Sequence, residues 1–317
     1  MTAVRVETAR HITLRKRAEQ TMGRIGLMLI VRPVRALPLH TAQKLGAFLG
    51  LGIYRLLSRY RLVAHRNLAR FFSDVSLPER ERMARAVFRH FGQWAMEFVK
   101  LPQLGRDEID ALTTVIGEEH LRSALARGKG VLLITGHFGN WEFLGRWLAI
   151  HGYTLSVVAR RANNPAADRL LVSTREGNGA QVLARGNSVK GILQSLKRGE
   201  IVALLPDQNA ADVIVPFLGV PTGTVEGPAV LHLRTGAPLL FSWCTRTASG
   251  GFRICFEPAF EADSTGNQRA DVATIMAEVN ARLGAVIREQ PTQWLWLHDR
   301  WKSSPPEAPA AGGESAA

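Results

Sequence analysis

"ITGHFGNWEF", Ile134 to Phe143, sets a histidine and a glutamate five positions apart, directly after the apolar run Val131 to Ile134. The run reads as a buried strand. Gly136 and Gly139 beside His137 give the backbone freedom for a tight turn, and "NWEF" opens a helix. Open α/β sheets place ligands just past a strand's carboxyl end, which is where His137 falls. Within a regular helix, residues five apart point about 140° away from each other. His137 and Glu142 are therefore poor helix-surface design. With His137 in the turn and Glu142 in the first helical turn, the two can meet. A carboxylate on one imidazole nitrogen fixes the tautomer and stabilises imidazolium, leaving the other nitrogen to take a proton.

The neighbouring segments repeat the scheme. "EEHLRSALARGKG" precedes "VLLITG", "EFLGRWLAIHGY" precedes "TLSVVAR", and "VKGILQSLKRGE" precedes "IVALLPD". Strands alternating with helices predict an α/β fold with a largely parallel sheet flanked by helices. "APLLFSWCTR" and "GGFRICFEPAF" follow as further apolar runs, then a long amphipathic helix from Arg269 to Glu289. Upstream, Ser76 as N-cap with Pro78 and Glu79 in the first turn predicts a helix to Lys100, whose Met83, Val87, Phe88, Phe91 and Met96 recur at helical spacing.

Residues 23–72 hold apolar runs interrupted by Arg32, Arg35, Lys44 and Arg55 and broken by Pro33 and Pro38. None reaches the roughly 18 to 20 apolar residues of a spanning helix. Two helices are expected, either packed on the core or lying in a membrane interface. Arg55, Arg59, Arg61, Arg66 and Arg70 favour the interface. Met1 to Thr21 is polar and has no signal-peptide core. The expected organisation is a basic membrane-associating helical region over 1–105, an α/β domain over 106–303, and a disordered Pro/Gly/Ala-rich tail over 304–317.

The 317 residues are 46% hydrophobic and carry a net charge of +13, with two cysteines. The charge asks for an anionic partner. Nucleic acid is not the expected one: there is no zinc-finger spacing, helix-turn-helix pattern or RNA-binding aromatic signature. Two cysteines are too few for a disulfide framework. There is no G-x-S-x-G elbow around Ser188, no activating sequence neighbour for Cys244 or Cys255, and no second metal ligand near His137. A histidine–carboxylate pair without a protein nucleophile deprotonates a substrate hydroxyl directly. The reaction it suits is transfer of an electrophile, most naturally an acyl group, to an alcohol, with no metal or organic cofactor.

"HFGNWE" resembles the H-x4-D/E block of glycerolipid acyltransferases, in the form found in the late acyltransferases of lipid A biosynthesis. "VVARRANNP", "VKGILQSLKRGEIVALLPDQN", "VPFLGVPTGTVEGPAVLHLRTGAPLL" and "WLWLHDRWKSSP" resemble that family's later blocks, and "RNLARFF" and "HFGQWAMEFVKL" its helical approach. The resemblance covers roughly Gly23 to Pro305. Two places depart from it: the N-terminal apolar run is weak, and Gln208 stands where the family often has histidine.

The resemblance implies a fatty acyl thioester donor, on acyl carrier protein or coenzyme A, and an anionic glycolipid acceptor; the alternatives are another polar lipid, phosphatidylinositol mannoside-like or a lysophospholipid, or a non-catalytic membrane-surface binding protein. It implies a place at the cytoplasmic face of the inner membrane. It makes His137 the general base and Glu142 its orienting carboxylate. Arg160 and Asn164 become substrate-binding candidates, with Asp207, Gln208, Glu226 and Arg234 beside them. For Arg160 a plain surface arginine, for Asp207 a helix or turn cap, for Glu226 a solvated loop carboxylate and for Arg234 a snorkelling surface arginine are the alternatives. Gly139, Asn140 and Trp141 are expected to support the dyad. The cluster Trp294, Trp296 and Trp301 closes the core or anchors at an interface, with the core favoured.

Overall fold

The computed structural model describes residues 31–159, 165–184 and 188–305. Residues 31–36 are helical, and α1 (Leu39–Leu56), α2 (Ser58–Phe71) and α3 (Leu77–Lys100) follow. Helix α3 starts at Ser76 as expected, although the serine side chain makes no capping bond. Helices α1 and α3 run antiparallel in backbone contact. A Cβ on Gly46 would strike the Gly92 carbonyl and one on Gly50 the Phe88 carbonyl, so glycine alone permits this approach.

The α/β part runs α4 (Arg106–Leu112), β1 (Thr113–Ile116), α5 (Glu118–Leu125), β2 (Val131–Ile134), α6 (Trp141–Ile150), β3 (Leu155–Ala159), α7 (Pro165–Gly177), β4 (Ala180–Ala184), α8 (Ser188–Lys197) and β5 (Ile201–Leu204). Then come β6 (Val213–Phe217), β7 (Val220–Thr224), α9 (Gly227–Thr235), β8 (Leu239–Arg246), β9 (Phe252–Phe256) and α10 (Gln268–Glu289). The main sheet has the order β1-β9-β8-β2-β5-β3-β4, and β6 and β7 form a separate hairpin. The pairs β1–β9, β8–β2, β2–β5, β5–β3 and β3–β4 are parallel and β8–β9 is antiparallel, so β1 and β9 run opposite to the other five strands. All four residues of β2 are buried, as a central strand covered on both faces requires.

The N-terminal helices share a core with the sheet. Tyr54, Ala64, Leu68, Val87 and Phe88 join one cluster with Leu132, Ile134, Val202 and Phe241. Trp294, Trp296 and Trp301 are buried in the same cluster. The change of pattern near residue 105 is thus a change of secondary structure within continuous packing.

Helix α1 is two-faced. Ala42, Gln43, Gly46, Gly50 and Tyr54 are buried. Leu45, Phe48, Leu49, Ile53 and Leu56 are exposed, Phe48 at 72% and Leu56 at 81%. Their spacing puts them on one stripe. Leu57, Tyr60 and Leu62 extend this exposed apolar surface onto α2. Lys44, Arg55 and Arg59 are exposed on the same helices, which contain no acidic residue. Among the described residues no helix is long and apolar enough to cross a membrane.

Candidate active site

Strands β2 and β5 are parallel neighbours, with Ile134 opposite Leu204. Three residues beyond Ile134 stands His137; three beyond Leu204 stands Asp207. Equal offsets from paired residues bring the two side chains together above the sheet. His137 Nδ1 lies 2.8 Å from Asp207 Oδ1, and the His137 backbone N–H donates to Asp207 Oδ2 at 2.7 Å. Trp294 Nε1–H donates to the same oxygen at 3.0 Å.

An ionised carboxylate accepts only, so Nδ1 carries a proton, and in the neutral ring the lone pair is on Nε2. Burial of Asp207 works against its charge, but His137 and these hydrogen bonds outweigh it and hold the carboxyl below its ordinary pKa. The His137 side chain is 24% exposed while that of Asp207 is 1% exposed. One end of the imidazole is therefore anchored in the protein and the other end is reachable. Gln208 Nε2 lies 3.4 Å from His137 Nε2, beside the reachable nitrogen.

The loop carrying His137 is held on several sides. Gly139 has φ +60°, and a Cβ there would run into the Cys244 carbonyl, so the sequence needs glycine at this position. Phe138 forms an antiparallel bridge with Trp294. Gly139 N–H donates to Gln293 O, and Leu295 N–H donates to His137 O. Asn140 is the N-cap of α6: its Oδ1 accepts from Phe143 N–H at 2.9 Å, and its amide donates to Glu97 at 2.7 Å. The Trp141 ring meets the His137 ring edge-on with centroids 5.0 Å apart, and stacks on Trp94 at 4.7 Å. On the far side, His298 Nε2 accepts the Asn209 N–H at 3.0 Å and steadies the loop that carries Asp207 and Gln208.

The expected pairing of His137 with Glu142 is not formed. Glu142 does lie in the first turn of α6, but its carboxylate turns toward α7. Arg175 Nη2 donates to Glu142 Oε1 at 2.6 Å, and Arg175 Nε reaches Oε1 at 3.0 Å and Oε2 at 3.3 Å. Trp141 Nε1–H adds a bond at 3.0 Å. Glu142 is buried and already fully engaged, while the Nδ1 position of His137 is filled by Asp207. The role expected of Glu142, orienting the imidazole, is taken in this geometry by Asp207.

The remaining candidates divide. Arg160 and Asn164 lie outside the described residues. Glu226 is exposed at the N-cap position of α9, where its backbone N–H donates to Asp212 at 3.4 Å and its carbonyl accepts the Val230 N–H at 3.1 Å. Arg234 is exposed near the end of α9. No hydrogen bond or ion pair among the described residues joins Glu226 or Arg234 to His137. Sequence reasoning missed Arg175, Trp294 and His298, and missed the directness of the Asp207 contact. The equal offsets of His137 and Asp207 after two apolar runs were a usable signal, provided those strands were assumed adjacent.

The family model described as Bacterial lipid A biosynthesis acyltransferase matches residues 11–303. The lipid A biosynthesis lauroyltransferase of Escherichia coli (strain K12) is 30% identical over 285 residues, 86% of this chain and 89% of that protein. The lipid A biosynthesis palmitoleoyltransferase of the same strain is 28% identical, over 82% of this chain and 85% of the relative. The phosphatidylinositol mannoside acyltransferase of Mycobacterium tuberculosis (strain CDC 1551 / Oshkosh) is 29% identical, over 74% of this chain and 75% of the relative.

Proposed function

Because the chain belongs to the bacterial lipid A biosynthesis acyltransferase family, we propose that it moves a fatty acyl chain from a thioester to a hydroxyl of a lipid A-type glycolipid, with His137 as general base and Asp207 as the carboxylate that orients it. The observation that carries this reading is the His137 Nδ1–Asp207 contact, which selects the neutral tautomer with its lone pair on Nε2, on a side chain that is partly exposed. Nε2 takes the proton of the acceptor hydroxyl as the oxygen attacks the thioester carbonyl carbon. The carbon–sulfur bond then breaks, and the thiolate leaves with the proton returned from the imidazolium. Asp207 stabilises the imidazolium that exists between these two transfers. Glu142 acts from a distance: with Arg175 it fixes the start of α6 against α7. Arg160 and Asn164 keep the substrate-binding roles that the family resemblance implies.

The acyl donor in this reading is an acyl thioester on acyl carrier protein or coenzyme A. The acceptor lies in an anionic lipid layer at the cytoplasmic face of the inner membrane. The exposed stripe of α1, with Lys44, Arg55 and Arg59 and no acidic residue on either helix, supports docking on such a surface. Phe48→Glu should weaken partition onto anionic vesicles by about 2 kcal/mol, with partition falling as salt rises. Equal partition of wild type onto neutral and anionic vesicles would remove the electrostatic part.

A second acceptor is favoured by one finding: relatives that act on phosphatidylinositol mannosides match nearly as well as the lipid A enzymes. Incubating the protein with a lauroyl thioester and, separately, a lipid A precursor or a phosphatidylinositol mannoside, then weighing the lipids by mass spectrometry, decides between them. The reading predicts one added acyl chain on the lipid A precursor. Acylation of neither lipid, with the thioester intact, would refute it.

A further inference from the structure

Glu97 of α3 is 1% exposed, an unusual place for a carboxylate unless it is fully partnered. Its oxygens accept from Gln43 Nε2 at 2.7 Å, Asn140 Nδ2 at 2.7 Å, Arg246 Nε at 3.0 Å and Arg246 Nη2. Arg246 Nη1 donates to His90 Nδ1 at 2.7 Å. Since Nδ1 accepts, the imidazole proton sits on Nε2, which donates to the Gly139 carbonyl at 3.1 Å. Burial first, and Arg246 second, hold His90 well below its ordinary pKa, in keeping with a neutral ring.

The carboxylate thus reaches the loop that carries His137 by two routes. One is direct, through the Asn140 amide. The other runs through Arg246 and His90 to the Gly139 carbonyl. Gln293 completes the enclosure: its side chain brackets the Arg246 peptide at 2.9 and 3.0 Å, and its carbonyl accepts the Gly139 N–H. Both peptide groups around Gly139 are therefore fixed from outside the loop. Beyond these contacts Gly139, at φ +60°, meets the sheet only through an isolated bridge to Cys244, whose carbonyl accepts the Asn140 N–H at 2.6 Å.

None of these side chains touches the reacting nitrogen. We propose that Glu97, Arg246 and His90 form a buried positioning cluster that sets the loop from His137 to Asn140, so that the imidazole meets Asp207 and the acceptor hydroxyl in one alignment. The proposal rests on the reading of His137 as the base. A purely structural ion pair is the competing explanation. Such pairs add little net stability, and this one has its terminal hydrogen bonds on the catalytic loop.

His90 offers the cleanest test, because it is uncharged and its removal leaves the Glu97–Arg246 pair intact. His90→Leu removes both ring hydrogen bonds; His90→Gln can keep them, accepting through Oε1 and donating through Nε2. The variants are assayed with a lauroyl thioester and a lipid A precursor, with a thermal melt and the downfield proton NMR signal of His137 Nδ1–H recorded for each. His90→Leu should lose about 10²-fold in kcat, with KM little changed and the downfield signal shifted or lost. His90→Gln should recover most of both. Glu97→Gln/Arg246→Gln, which leaves no uncompensated charge, should behave as His90→Leu does. A folded His90→Leu or double variant with wild-type kcat and an unmoved signal, beside an inactive His137→Ala, would overturn the positioning role alone. An active His137→Ala would overturn the base assignment and this proposal with it.

Discussion

Two buried carboxylates flank the same histidine loop, and their partners differ. Asp207, seventy residues from His137 in the chain, bonds to the imidazole and to the backbone N–H of the same residue. Glu142, five residues away, belongs to the seam between α6 and α7, where Arg175 holds it with a forked pair of donors. The first carboxylate faces a group that can change its charge during a reaction. The second faces a guanidinium that stays charged. A carboxylate on a titrating imidazole contributes when the proton moves, whereas one locked to an arginine contributes to the fold at all times. Proximity in sequence pointed to Glu142; the register of two parallel strands selects Asp207.

The comparison can be broken most forcefully at its shared member. His137→Ala should lower kcat by about 10³-fold, since it removes the imidazole that Asp207 orients. Circular dichroism and a thermal melt should stay close to wild type. Substantial residual turnover would leave both carboxylates without a catalytic partner.

Next in size is the α6–α7 seam. Glu142→Gln leaves the Arg175 guanidinium, 22% exposed, without its counter-charge. Urea unfolding should report a loss of about 2 to 3 kcal/mol, below the full penalty for a completely buried pair because Arg175 retains some solvent. Turnover per folded molecule should change little. Asn140→Ala, at the head of the same helix, should lose about 1 kcal/mol of cap energy and also release Glu97 from the loop, so that kcat falls together with stability. A variant with lowered stability and unchanged kcat would separate the cap from the loop.

The smallest effect is one of pH. The folded Asp207 carboxyl lies below its ordinary value, so its stabilisation is fully present above about pH 4, near the unfolded carboxyl's pKa. It is lost as pH falls through the folded value. Wild type should therefore lose stability faster than Asp207→Asn as pH drops below about 4, the two curves converging. Parallel curves over that range would mean that the carboxylate gains nothing from His137.

Much of this architecture was legible. The alternation of amphipathic and apolar runs foretold the parallel sheet, and the glycines around His137 foretold a turn at the end of a central strand. The antiparallel β9 was not legible, because "GGFRICFEPAF" is as apolar as the parallel strands and only its neighbour decides its direction. The β6–β7 hairpin is not legible, because "VIVPF" and "VPTGT" carry prolines, which speak against strands. The apolar residues of α1 were visible, but their division into a face packed through Gly46 and Gly50 and an exposed face around Phe48 depends on where α3 crosses. Glu97 and Arg246 stand 149 positions apart, and nothing in the sequence spacing joins them.

The central claim is that Asp207, and not Glu142, supports the base during transfer. Its most direct test is the kcat of Asp207→Asn beside that of Glu142→Gln, measured on folded protein with the same lauroyl thioester and lipid A precursor. Asparagine keeps the shape of aspartate but removes the charge that stabilises imidazolium, so the account predicts a fall of about 10² to 10³-fold for Asp207→Asn and little change for Glu142→Gln. A large loss for Glu142→Gln with near-normal turnover for Asp207→Asn would contradict it.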